Sequence, residues 1–344
     1  MLVIPVFVPH AGCPHNCCFC NQKIISGQSS LPCEKDVVDT IELFRTAASR
    51  YGETQLAFYG GSFTAIDVDM QLMFLNAVQP YMKVNGGFID KLRLSTRPDC
   101  IDNATLDRLW NYGVRVIELG AQSMDDSVLL SSDRGHTSID TVEASKLIKN
   151  KGFELGIQTM TGLPGASYES DIETAHLVCK IEPDFVRIYP TVVVKGTALH
   201  KRLSEGKYFP QKLETAVKLC AELSEVYERA GIAVVRIGLQ SSKNISEDGE
   251  IAAGPYHAAF GQLVRSEKIF NRVCNLLERN DNNYQNKTLK IYISRNMISD
   301  CIGQKRWNVN RWIEKYGFAR VVVRGDQEKG FCDDTNNVVI EYLG

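Results

Sequence analysis

No apolar run in this chain approaches the ~18 residues a membrane-crossing helix needs, so no membrane partner is expected. The apolar start, Met1–Val8, has no basic flank and is too short for a secretory leader. It reads as a buried first strand, and the expected compartment is the cytoplasm. There is no internal repeat at a solenoid period and no linker rich in proline and serine. Neither sign of charge is in excess: the formal net charge of the 344 residues is −2. With 44% hydrophobic and 23% charged residues, the composition excludes a disordered, collagen-like or low-complexity chain. A chain of this length buries a core without disulfide staples and has room for one large or two ordinary domains.

Cysteine is plentiful. Eleven in a chain with no leader do not read as a disulfide framework. Three stand together, Cys13, Cys17 and Cys20, spaced CxxxCxxC. The others, Cys18 included, show no second such spacing and read as small buried hydrophobes. Three thiols on one loop can close on one metal centre, and soft thiolates select zinc or iron–sulfur. Structural zinc wants four closed ligands, and the near candidates for a fourth are His10, His15 and Cys18. Cys18 is adjacent to Cys17 and is expected to point away from it. With only three thiolates, a four-iron cluster keeps one iron open to chelation by an amine and a carboxylate.

Short apolar runs alternate with helical periodicity. Strands are predicted at Val3–Val8, Gln55–Tyr59, Lys91–Ser95, Val114–Leu119, Glu154–Met160 and Phe185–Tyr189, and helices near Glu34–Arg50, Val68–Met82, Ala104–Tyr112, Ile139–Lys151 and Ser170–Lys180. This rhythm predicts βαβ units and a parallel sheet: an α/β fold with six units, fewer than the eight of a closed barrel. In such folds chemistry sits at the C-terminal ends of the strands. There lie the cysteines, Gly60-Gly61-Ser62, Ser95-Thr96-Arg97-Pro98 and Gly162-Leu163-Pro164-Gly165. A long helix near Lys212–Ala230 and a strand Ala233–Ile237 follow, and Tyr256–Glu278 reads as helical.

CxxxCxxC with Phe19 before the last cysteine resembles the signature of the radical S-adenosylmethionine (SAM) superfamily. The resemblance implies a partial (β/α)6 TIM-like barrel, a 4Fe-4S cluster on Cys13, Cys17 and Cys20, and SAM on the open iron. Reductive cleavage of SAM would then yield a radical that abstracts hydrogen from substrate. A flavodoxin- or ferredoxin-like electron donor is implied as partner. By the same resemblance Phe19, Gly60, Gly61, Ser62 and, more weakly, Ser95 and Gln158 face SAM. Ser62 stands where many members have glutamate. Gly120-Ala121-Gln122 with Arg134 twelve residues on is similar to anaerobic coproporphyrinogen oxidases. That similarity puts Gln122 on the SAM ribose or adenine and Arg134 on its carboxylate.

Further strings resemble the catalytic subunit of Elongator and its prokaryotic relatives, which modify wobble uridine in tRNA. They are Leu94–Asp99, Glu118–Ser123, Arg134–Thr137, Gly162–Gly165, and Arg187-Ile188-Tyr189-Pro190 with Lys195-Gly196-Thr197. The resemblance covers residues 1–245, expected as the radical SAM core. Two departures stand beside it: the relatives space their cysteines more widely, and they carry an acetyltransferase domain for which no counterpart is visible here.

Residues 246–344 are expected to form a small basic α+β domain. Residues 251–344 hold 14 Lys+Arg against 10 Asp+Glu. Within them 288–325 predict strand–helix–turn–helix–strand, and the turn Ile302-Gly303-Gln304-Lys305-Arg306 resembles the core of a KH domain, with Arg306 in place of the second glycine. The resemblance implies that Lys305, Arg306 and Arg311 pair with phosphates and that Trp307 or Trp312 stacks on a base. A small basic cap with both tryptophans in its core is the alternative. Three functional readings follow: a radical SAM enzyme acting on tRNA, one acting on a small porphyrin-like or other metabolite, and a non-enzymatic module with a zinc-stabilised loop. Oligomeric state is not legible.

Overall fold

A computed structural model describes residues 1–8, 13, 15–21, 31–240, 245–246, 249–279, 283–325 and 338–343. Ten elements alternate along the first half: β1 (Leu2–Phe7), α1 (Glu34–Ala48), β2 (Thr54–Tyr59), α2 (Val68–Val78), β3 (Lys91–Thr96), α3 (Asn103–Asn111), β4 (Val114–Gln122), α4 (Asp126–Ser131), α5 (Ser138–Asn150) and β5 (Glu154–Thr161). Then come α6 (Tyr168–Ile181), β6 (Phe185–Pro190), β7 (Val193–Val194), α7 (Ala198–Ser204), α8 (Leu213–Arg229), β8 (Ala233–Ile237) and β9 (Ile251–Ala253). Two compact units result: Met1–Leu213 with Glu225–Ala258, and Glu214–Ser224 with Ala259–Gly344.

The first unit is built on seven parallel strands in the order β1-β2-β3-β4-β5-β6-β8. The expected six become seven because Ala233–Ile237 pairs with β6 instead of standing apart. Sequential order follows from right-handed crossovers, each placing a helix on the same face. Alternate residues of each strand face that helical layer and are apolar: Leu56 and Phe58, Leu92 and Leu94, Ile117 and Leu119, Val186 and Ile188, all buried. Helix starts are capped as their sequences suggest. Thr137 and Asp140 form a reciprocal capping box on α5. Two predicted helices are too long: α2 stops at Val78, short of Met82, because Pro80 lacks an N–H and the chain tightens into a 3-10 turn, and the helix expected from Tyr256 starts only at Phe260.

The face away from the helices is concave. In a flat sheet β2 and β6, four strands apart, would lie ~19 Å from each other. Yet Arg187 Nη2 of β6 donates to Tyr59 Oη of β2 at 3.3 Å. The sheet is therefore curled, and its polar residues point into a lumen. Among the described residues no helix is long and apolar enough to cross a membrane.

The second unit contains α9 (Phe260–Glu278), β10 (Thr288–Ile293), α10 (Ile298–Ile302), α11 (Trp307–Tyr316), β11 (Arg320–Gly325) and β12 (Val339–Leu343). Its sheet runs β11-β10-β12, parallel on one side and antiparallel on the other. The strand–helix–turn–helix–strand order holds, and β12 is an addition that sequence reading missed. The core gathers Phe270, Leu277, Leu289, Ile291 and Trp312, with Phe270 and Trp312 stacked at 5.6 Å between ring centres.

Candidate functional site

The cysteine loop lies at the C-terminal end of β1. Its end is fastened by backbone bonds, Cys18 N–H to Ser132 O at 3.1 Å and Leu199 N–H to Cys18 O at 2.7 Å. Those bonds turn Cys18 away from its neighbours. It is fully buried with Val193, Leu199 and Tyr208, and burial pushes its thiol up to about 12. Phe19 packs against the same apolar group. The remaining thiols of the loop, Cys13, Cys17 and Cys20, are not in disulfides. Cys13 faces the Ser62 backbone N–H. Burial raises its pKa, while that N–H, Arg134 and Arg97 oppose the rise. Arg134 Nη1 donates to Cys17 Sγ at 3.3 Å.

Among the described residues, no three His, Cys, Asp or Glu side chains already converge as metal ligands. His10 lies outside the described residues. His15 is exposed and sits over Gly135, where a Cβ would come within 2.4 Å of its ring. The fit to an iron–sulfur centre is one of donor chemistry. Three soft thiols stand beside guanidiniums that favour thiolates, and Arg134 Nε is a buried donor without a partner.

The glycine loop after β2 comes close to the chain leaving β1. Gly60 has φ +108°, and a Cβ there would meet the Val8 backbone at 3.4 Å. Glycine is required by conformation, while a Cβ there would make only ordinary van der Waals contact. Ser62 is not turned outward as a ligand-binding glutamate would be. It is buried, shares a 2.8 Å hydrogen bond with Thr96 Oγ1, and accepts from Arg97 N–H at 3.2 Å. It fastens the β2 loop to the β3 loop. Ser95 is half-buried on the concave face, in register with Glu118.

The end of β4 carries the strained residue of the site. Gln122 has φ +69°, where the β4–β5 register slips between Gly120 and Gln122. A non-glycine residue held there stores strain that the surroundings must maintain. Its Oε1 accepts from Gln158 Nε2 at 2.8 Å, so these two predicted residues do meet. Arg134 Nη2 donates to Gly120 O at 2.6 Å. A Cβ at Gly120 would come within 2.8 Å of the Gln122 amide and 3.0 Å of Arg134. The glycine is what lets both approach.

His136 was missed by sequence reasoning. It is buried, and its Nε2 lies 3.2 Å from Ala121 O while Nδ1 has no partner. That network assigns the proton to Nε2. Burial, with Arg134 and Arg97 nearby, pushes the imidazole down to about 4. The signal available in the sequence was Arg134-Gly135-His136-Thr137, a polar string ending in a helix cap.

In the second unit, Lys305, Arg306 and Trp307 are exposed side by side on the turn between α10 and α11. Lys305 and Arg306 both have left-handed backbones, φ +51° and +63°. Arg306 thus adopts the conformation that a glycine would adopt at that place. Arg311 is not beside them as a free cation. Glu267 holds it in a fork at 2.5 and 3.2 Å, and it stacks on Phe270 at 3.5 Å. Trp312 lies in the core, and Trp307 is 56% exposed.

A sequence profile described as the radical SAM superfamily matches residues 7–178, and one described as a Radical_SAM C-terminal domain matches residues 183–269. The tRNA uridine(34) acetyltransferase of Dehalococcoides mccartyi is 28% identical over 245 residues, 61% of this chain and 53% of that protein. Elongator complex protein 3 of Saccharomyces cerevisiae is 26% identical over 205 residues, 53% of this chain and 36% of that protein. The chain thus spans about half, or less, of the length of these relatives. The archaeal Elp3 of Methanocaldococcus infernus, solved with an N-terminal deletion, shares the fold. Its TM-score is 0.61 at 20% identity, covering 77% of this chain and 62% of that one.

Proposed function

The chain belongs to the radical SAM superfamily, and from that premise we propose that it is a SAM-cleaving 4Fe-4S enzyme that modifies tRNA. Cys13, Cys17 and Cys20 would hold the cluster, the open iron taking the amine and carboxylate of SAM. When bound, the cluster and SAM supply a 5′-deoxyadenosyl radical that takes hydrogen from substrate. The residues of the chain position that chemistry and exclude water. Arg134 bonds Cys17 Sγ and offers its free Nε, so it sets the charge at the cluster edge. Gly60 and Gly61 would let backbone come close to the ligand, and the Gln122–Gln158 pair presents amides at the barrel mouth. Ser62 acts through the loop it fastens. A flavodoxin- or ferredoxin-like protein would supply the electron.

The tRNA substrate is supported by the names of the relatives and by the second unit. Its exposed Lys305-Arg306-Trp307 turn pairs two cations with a flat ring, the elements of phosphate pairing and base stacking. The observation that carries the proposal is the thiol triplet with Arg134 on Cys17, at the strand ends of a curled parallel sheet.

The test is anaerobic. The reconstituted protein receives dithionite and SAM, and 5′-deoxyadenosine is measured with and without bulk tRNA, beside Cys17→Ala. Product that requires Cys17 and rises several-fold with tRNA is expected. Product indifferent to tRNA would move the substrate to a small metabolite. Stoichiometric zinc with no absorbance near ~400 nm would end the enzyme reading.

A further inference from the structure

Among the described residues, the lumen of the first unit holds more positive charge than it balances. Arg93, Glu118, Arg187 and Arg236 all point to the concave face of β3, β4, β6 and β8. Glu118 Oε2 lies 3.2 Å from Arg93 Nη2 and 2.8 Å from Arg187 Nε. One carboxylate thus serves two guanidiniums, and all three side chains are at most 14% exposed. Arg236 stands in register beside Arg187 on the neighbouring strand. It donates to Gly238 O at 3.3 Å, and among the described residues no carboxylate lies within ion-pair distance of it. Among the described residues, three cations there face one anion.

Like charges side by side on paired strands destabilise a sheet unless something lies between them. Buried cations likewise cost free energy until paired. The neighbouring groups complete a pattern. Arg187 donates to Tyr59 Oη at 3.3 Å and to Tyr189 Oη at 3.4 Å. Each phenol accepts from the arginine, so its own proton remains available to donate. Burial keeps Tyr189 in its neutral, donating form. Arg187 and the two phenols therefore meet as donors, with Glu118 orienting Arg187 and Arg236 standing in register beside it on the next strand. The acceptor that suits so many donors is a group with several equivalent oxygens.

The geometry points to a phosphate-binding subsite in the lumen, built from Arg187, Arg236, Tyr59 and Tyr189, that receives a phosphate group of the substrate. The subsite lies beside the residues already assigned to SAM. Arg187 is the register partner of Gln158, and Tyr59 immediately precedes Gly60. A phosphate held there brings the rest of its molecule into the reaction chamber. The inference rests on the reading of the lumen as that chamber, and it adds the class of group the substrate must carry. Glu118 is a positioning residue: it touches the arginines, not the ligand. The phosphate can come from a small phosphate ester or from a nucleotide within RNA, and the experiment has an arm for each.

The holoenzyme is titrated calorimetrically with inorganic phosphate, with uridine 5′-monophosphate and with bulk tRNA, at constant ionic strength set by chloride. Arg236→Gln is the leading variant because it strands no acidic partner among the described residues; Arg187→Gln is the second. Arg236→Gln is expected to weaken phosphate binding by about tenfold or more. Its thermal midpoint should rise without phosphate, because a like-charge contact is removed. A merely structural arginine would give the opposite shift. Tighter binding of the mononucleotide than of phosphate, retained without tRNA, identifies a small ester as the source. Loss of tRNA binding in Arg236→Gln identifies the RNA. Equal phosphate affinity in wild type and Arg236→Gln, or loss of it only in Lys305→Ala/Arg306→Ala, overturns the proposal. Since binding is read without turnover, absence of tRNA-stimulated SAM cleavage would sink the tRNA reading and leave this one standing.

Discussion

Gly120 is the residue on which two others depend. With hydrogen in place of a side chain it admits both the Gln122 amide and the Arg134 guanidinium. Gly120→Ala is expected to displace one or both and to lower SAM affinity by about tenfold or more, the scale of a lost charged hydrogen bond. Secondary structure by circular dichroism should be retained, and equilibrium dialysis of SAM against the reconstituted protein reads the loss. His136 makes a pH-dependent contribution. Its imidazole is neutral and buried when folded, with the pKa pushed from 6.5 to about 4. The unfolded chain therefore takes up the proton first. The stability associated with neutral His136 is complete above pH 6.5 and is lost as pH falls toward 4, by about 3 kcal/mol in all. His136→Gln keeps a donor for Ala121 and should remove that acid-side loss, read as urea midpoints at pH 7 and 4.5. At this scale the sequence was informative about types and uninformative about directions. Cys18 was expected to turn away from Cys17 because adjacent side chains diverge, and its backbone bonds to Ser132 and Leu199 fix that direction. The pairing of Arg311 with Glu267 was not readable, because 44 residues separate them along the chain.

At the level of elements, the loops after the strands are held by buried polar ties. Asp171 of α6 accepts the Gly162 N–H at 3.0 Å, fastening the turn after β5 to the helix that follows. Burial raises this carboxyl from 3.8 to about 7. The sign is opposite to that of His136. The folded state holds the proton longer, so this group's contribution is fully present below pH 3.8 and declines as pH rises through 7. Asp171→Asn keeps the acceptor and removes the charge. It is expected to stabilise the protein at pH 8 by on the order of 4 kcal/mol at most and to change little at pH 4, measured as chemical-denaturation midpoints. The turn between α10 and α11 bears a strain of its own. Arg306→Gly should relieve about 1 kcal/mol of left-handed backbone cost and raise the thermal midpoint. The same change removes a phosphate-pairing cation, so stability and tRNA affinity should move in opposite directions. Element existence was legible from periodicity; the ends were less so. β4 runs on to Gln122 because tertiary contacts stabilise a strained residue that local propensity would reject.

For the whole molecule, an acidic body and a basic tail make salt dependence the natural observable. Residues 251–344 have net +4 and the other 250 net −6, counted as 14 against 10 and 25 against 31. If Lys305 and Arg306 neutralise RNA phosphates, their double alanine variant should lower the slope of log affinity against log salt by roughly 1–2. Filter binding of tRNA between low and moderate salt measures it. A slope unchanged from wild type would return the turn to a structural role.

The parallel sheet of βαβ units and the family were legible in the sequence alone, because they follow from local signals: apolar alternation, caps, glycines and the spacing of Cys13, Cys17 and Cys20. Only the tertiary structure decided that Ala233–Ile237 is a seventh strand of the sheet. It alone brought Tyr59 to Arg187 across four strands and set Arg236 beside Arg187 with no acid among the described residues to answer it. The physical reason is curl and register. Both are set by the packing of crossover helices on one face, and no short stretch of residues encodes how far a sheet bends or which side chains then meet across it.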